Sequence, residues 1–86
     1  MIFIESSRFT KDFEQLSASQ KESVSYVLEL FKEDPYNPRL RNHKLQGILK
    51  GHFSLKAGYD LRVICRYENN KVYVLLVSVG RHEDVY

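Results

Sequence analysis

The spacing of apolar residues changes once along this chain, and the change divides it in two. Up to Pro35 they recur with the period of a helix; from Lys50 onward they alternate with the period of a strand. Phe9, Phe13 and Leu16 stand at i, i+4 and i+7, so one helical face carries them while Lys11, Asp12, Glu14 and Gln15 are left for water. Val24, Val27, Leu28 and Phe31 repeat the pattern in a second helix. Ser6 or Ser7 can cap the first helix, because a serine hydroxyl accepts an orphan backbone N–H. Ser19-Gln20-Lys21-Glu22 reads as a capping box at the start of the second. Pro35 stops that helix, and Asp34 is biased away from helical backbone by the ring that follows it.

The remaining elements are strands and their connections. Met1 to Ile4 is short and β-prone. Tyr36 to Lys44 reads as a polar connector holding Pro38. His52, Ser54 and Lys56 then alternate with Phe53 and Leu55. Ala57-Gly58 can turn the chain into a strand over Tyr59 to Tyr67, with Leu61, Val63, Cys65 and Tyr67 on one face and Asp60, Arg62, Ile64 and Arg66 on the other. Asn69-Asn70 suits a two-residue hairpin turn, since asparagine tolerates positive φ. Val72 to Val79 is almost continuously apolar, as a strand covered on both faces would be, and Arg81 to Tyr86 reads as a polar tail. The order β-α-α-β-β-β implies an α+β fold with two helices packed on one face of a small, mostly antiparallel sheet. A chain of 86 residues supports a single domain over 1–86.

Composition removes several classes. No apolar run approaches the ~20 residues that span a bilayer, so no membrane association is expected. The apolar start is broken at once by Glu5 and Arg8, which is not a signal peptide. The single cysteine excludes an intrachain disulfide and fits a reducing, cytoplasmic setting. Charge is unevenly placed. Residues 1–38 hold 4 basic and 7 acidic side chains, whereas residues 39–86 hold 9 basic and 4 acidic ones. From Arg39 to Arg66 there are 7 Lys/Arg and a single acid, Asp60. That bias points to a polyanionic partner.

His52, Ser54, Lys56, Asp60, Arg62 and Arg66 share the strand faces opposite the main apolar set, and His43, Arg81 and His82 lie where they can join them. One carboxylate, several cations and histidines suit phosphoryl transfer within RNA. A base takes the 2′-OH proton, cations hold the phosphate, and an acid protonates the leaving 5′-oxygen. Lys44, Lys50, Arg66 and Arg81 are then RNA-binding cations, and Tyr86 can stack on a base. The plainer readings are an Asp60 that merely pairs with Arg62 or Arg66, and cations that merely solubilise. Cys65 falls in the apolar set and reads as a buried, inert thiol. The histidines and Cys65 lack metal-ligand spacing, so no metal or other cofactor is expected.

Taken together, His43-Lys44-Leu45-Gln46-Gly47, Leu49-Lys50-Gly51, Asp60-Leu61-Arg62-Val63-Ile64, Gly80-Arg81-His82 and Tyr86 resemble the RelE/ParE superfamily of bacterial toxins, and within it the RelE- and YafQ-like mRNA interferases. The resemblance implies two helices against a curved antiparallel sheet and metal-independent endoribonuclease cleavage of mRNA, often in the ribosomal A site. It also implies a cognate antitoxin that joins the toxin in a hetero-oligomer. It assigns catalytic roles to His43, Asp60 and His82, phosphate binding to Arg62, and a contribution to Tyr86. Lys56 stands where a YafQ-like site has another histidine and brings that position towards RelE, whose second strand uses lysines. The base is open between Asp60 and His43; His82 is the expected acid, with Lys56, Arg62 and Arg81 stabilising phosphate charge. A ParE-like gyrase inhibitor and a non-catalytic nucleic-acid-binding module are the alternatives.

Overall fold

The computed structural model describes residues 1–85. Five strands, β1 (Ile2–Glu5), β2 (His43–Lys44), β3 (Phe53–Lys56), β4 (Leu61–Glu68) and β5 (Tyr73–Arg81), form one sheet in the order β1-β5-β4-β3-β2. Only β1–β5 is parallel; the other pairs are antiparallel. Helices α1 (Ser7–Glu14) and α2 (Ala18–Glu33) cover one face, and a one-turn helix α3 (His82–Val85) follows β5.

The periodicity holds where it was strongest. Phe9, Val24, Val27 and Phe31 from the helices meet Phe53, Leu55, Val63, Cys65, Val74, Leu76 and Val79 from the strands in one core. Phe31 is its hub: wholly buried, it lies 6.3 Å from Phe3, 5.6 Å from Phe53 and 6.4 Å from Tyr67 between ring centroids. Cys65 is buried in the same layer, and burial pushes its thiol far above the usual range.

Boundaries differ from expectation wherever a local signal had a nearby rival. Ser6 is the cap of α1, its Oγ accepting from the Phe9 N–H at 3.0 Å. The capping box of α2 begins two residues earlier than Ser19: Ser17 Oγ accepts from the Gln20 N–H, and Gln20 Oε1 accepts from the Ser17 N–H. The connector contains the two-residue strand β2, which pairs His43 with Ser54 and Lys44 with Phe53. Asp60 lies just before β4 rather than inside it, because β4 starts at Leu61. The β4–β5 turn runs over residues 69–72 instead of two residues, with Asn69, Asn70 and Lys71 all at positive φ.

The register of β5 carries one extra residue. Cys65 pairs with Leu76, and Ile64 pairs with Ser78, so Val77 is a bulge. Strict alternation from Val74 and Leu76 would carry Ser78 to the helices and Val79 away from them. The bulge restores Val79 to the core. Next to it β1 ends, and α1 takes over the edge of β5. The Ser6 N–H donates to Leu76 O (3.0 Å), Ser6 Oγ donates to Val77 O (2.7 Å), and Asp12 Oδ2 accepts from the Val79 N–H (3.2 Å).

Two outcomes follow from this core. Phe31→Ala is expected to cost about 3–5 kcal/mol, the range for truncating a buried phenylalanine, read from urea unfolding. Cys65 is expected to resist a thiol reagent at pH 8 in the native protein and to react fully in denaturant; fast native reaction would contradict its burial.

Candidate active site

The face away from α1 and α2 is laid out in rows by strand register. One row runs His43–Ser54–Ile64–Ser78 across β2, β3, β4 and β5. The next runs Lys56–Arg62–Gly80. Beyond it the His82 N–H donates to Asp60 O at 3.2 Å, so Asp60 and His82 stand side by side where β4 and β5 meet.

The first row is not the open polar strip that alternation suggests. Ser54, Ile64 and Ser78 are buried. Leu45 and Val85 close over Ile64, with Leu49 and Val77 packed against them. This second small core corrects two expectations at once. The middle of the face is covered, and residues 81–85 are not a polar tail, because Val85 draws α3 back onto the sheet.

The second row is electrostatically unusual. Lys56 and Arg62 are direct cross-strand partners, and like charges in that arrangement destabilise a sheet. Arg62 Nη1 donates to Leu61 O at 3.1 Å and to Gly58 O at 3.5 Å, both uncharged acceptors. No ion pair among the described residues involves either cation. Lys56, on the open edge of β3, also lines a hollow with Arg39 and Arg41 against α2. A bound anion would offset the repulsion in this row.

The other candidates are dispersed. His43 is exposed on β2, with Nδ1 3.1 Å from Arg41 O. A carbonyl only accepts, so Nδ1 carries the proton of the neutral ring and Nε2 is left as an acceptor. His43 is three strands from β5, about 14 Å of sheet. Lys44 and Lys50 are exposed and line a groove around β2. The Arg66 guanidinium is held by Glu68 Oε1 at 2.6 and 2.9 Å. Arg81 pairs in register with Leu61, lines a hollow with Arg8 and Asp12 beside α1, and is bridged to Glu83 at 3.2 Å. It therefore stands apart from the Lys56–Arg62 row. Tyr86 lies outside the described residues. Among those described, no three His, Cys, Asp or Glu side chains gather as a metal site, and no helix is long and apolar enough to cross a membrane.

The family model for the bacterial toxin of type II toxin–antitoxin system, YafQ, matches residues 3–86. The chain belongs to the YafQ family of type II toxins. No curated protein matches it. Its fold is that of a YoeB/ParE toxin from Agrobacterium tumefaciens (TM-score 0.81, 16% identity, 95% of this chain and 99% of that one). It is equally that of YafQ from E. coli strain BL21(DE3) (TM-score 0.79, 18% identity, 98% and 96%). A chain of the E. coli DinJ–YafQ toxin–antitoxin complex matches with a TM-score of 0.77 at 19% identity, over 98% of this chain and 94% of that one. The helices-on-sheet architecture and the family resemblance read from the sequence are thus both found in the molecule. The segment around His43 that carried the resemblance builds β2, and the one around Asp60 leads into β4. Sequence reasoning missed the Leu45–Ile64–Val85 layer, because its members come from three segments with no shared period.

That layer makes a measurable claim. Ile64→Ala is expected to cost about 2–5 kcal/mol in urea unfolding. A value within about 0.5 kcal/mol, typical of a surface substitution, would mean that the face is open there.

Proposed function

We propose that this toxin is an endoribonuclease that cleaves mRNA by attack of a ribose 2′-OH on the adjacent phosphate. The observation that carries the reading is the Asp60–His82 apposition beside the Lys56–Arg62 row. A base and an acid must flank one phosphate to act in the same displacement, and these two residues are neighbours across the end of β4 and β5. Asp60 takes the 2′-OH proton. The 2′-oxygen bonds to phosphorus as the bond to the 5′-oxygen breaks, and His82 gives that oxygen its proton. The products are a 2′,3′-cyclic phosphate and a free 5′-OH. Arg62 and Lys56 meet the non-bridging oxygens, where negative charge grows in the transition state. His43 stands at the far end of the face and positions the strand through its free Nε2. Every proton and charge in the step is handled by side chains.

The proposed target is mRNA in the ribosomal A site. A cognate antitoxin is the proposed protein partner, in keeping with neighbours solved as toxin–antitoxin complexes, DinJ–YafQ and RelBE2. The proposed compartment is the cytoplasm, where mRNA is translated.

Asp60→Asn and His82→Gln are each expected to slow mRNA cleavage on translating ribosomes by about 10²–10⁴-fold, and His43→Gln by less. If His82→Gln cleaves mRNA and arrests growth like wild type, the acid role is lost. Trapped gyrase–DNA breaks with intact mRNA would turn the reading to a ParE-like activity.

A further inference from the structure

An open groove of about 770 Å³ wraps the β2 edge of the sheet, between the turn that follows α2 and the β2–β3 connection. Four of its lining residues are cations: Arg41, Lys44, Lys50 and Lys71. None of its lining residues is Asp or Glu. No ion pair among the described residues engages these four cations. Lys71 Nζ lies 5.2 Å from the centroid of the Tyr67 ring, and that ring is stacked 4.7 Å from Phe53. Tyr36 stands at the rim, 88% exposed. Burial, with a smaller contribution from the nearby Tyr36, holds the Tyr67 phenol above its ordinary value, so it stays a neutral wall.

We propose that this groove is a second nucleotide subsite, one that takes a base and flanking phosphates of single-stranded RNA away from the cleaved bond. Uncompensated cations beside an exposed aromatic ring suit nucleic acid: the cations meet phosphates and the ring takes the flat face of any base. An acidic peptide would use the cations but leave the exposed Tyr36 face without a partner. Continuity favours the strand as well. His43 and Lys44 both line the groove, yet His43 shares its sheet face with the Lys56–Arg62 row and Lys44 pairs with Phe53 on the helix side. RNA leaving the proposed active site past His43 therefore enters the groove over Lys44. The subsite rests on the nuclease reading for the identity of that strand.

The test uses a labelled eight-nucleotide 2′-O-methyl RNA, which has no free 2′-OH and cannot be cleaved. Tyr36→Ala is expected to weaken its binding about 5- to 150-fold. Lys44→Ala with Lys50→Ala is expected to lower the slope of log affinity against log salt by about 1.4, at roughly 0.7 per phosphate contact on a single strand. Lys11→Ala, an exposed change on α1, serves as the control and should bind as wild type does. All these positions are exposed, and matching melting temperatures verify folding. Unchanged RNA affinity in the groove variants overturns the subsite. So does a loss confined to antitoxin binding, which would make the groove a protein-docking surface. If wild type leaves mRNA intact on ribosomes while the groove variants still lose RNA affinity, the nuclease reading fails and the groove stands as an RNA site.

Discussion

The pairing of β4 with β5 governs everything on both faces of this sheet, and its decisive detail is the single extra residue at Val77. A strand can hold only one phase of alternation, and residues 74–79 need two. By absorbing one residue, the bulge keeps Val74, Leu76 and Val79 under the helices. The same shift sets Gly80 opposite Arg62 and brings His82 to Asp60. Packing on one side and the grouping of the candidate site residues on the other are two results of one register choice.

Charge is arranged around that register rather than spread evenly. The basic stretch from Arg39 to Arg66 looks uniform along the chain. In space it separates. Arg66 is neutralised by Glu68, while Lys56 and Arg62 confront each other without a carboxylate between them. An exposed ion pair such as Arg66–Glu68 contributes little to stability, about 0–1 kcal/mol. The unpaired confrontation is the more informative feature, because it leaves a place where an anion is favoured.

Much of the architecture was legible in the sequence. Helical and strand periods named Phe9, Val24, Val27, Phe31, Val63 and Cys65 as core, and Pro35 marked the end of α2. What escaped had a physical cause. Ser17 and Ser19 offer the same hydroxyl two residues apart, and only the Gln20 partner decides between them. The run from Val72 to Val79 is apolar throughout, so no period could reveal the bulge. β2 is two residues long and exists through its pairing with β3. The candidate residues were legible as residue types, whereas their grouping was not. Asp60 with His82 and Lys56 with Arg62 are neighbours by register, and Arg81 is turned to α1 by the same register.

The parallel pair β1–β5 has a consequence in time. It joins Ile2 to Tyr73 and Glu5 to Leu76, and α1 is sewn to the same strand through Ser6 and Asp12. Contacts spanning about 70 residues of an 86-residue chain are entropically late ones. β1 must wait for β5 before this edge of the sheet can close. A nascent chain therefore lacks its Asp60–His82 apposition until β5 and the residue after it have emerged.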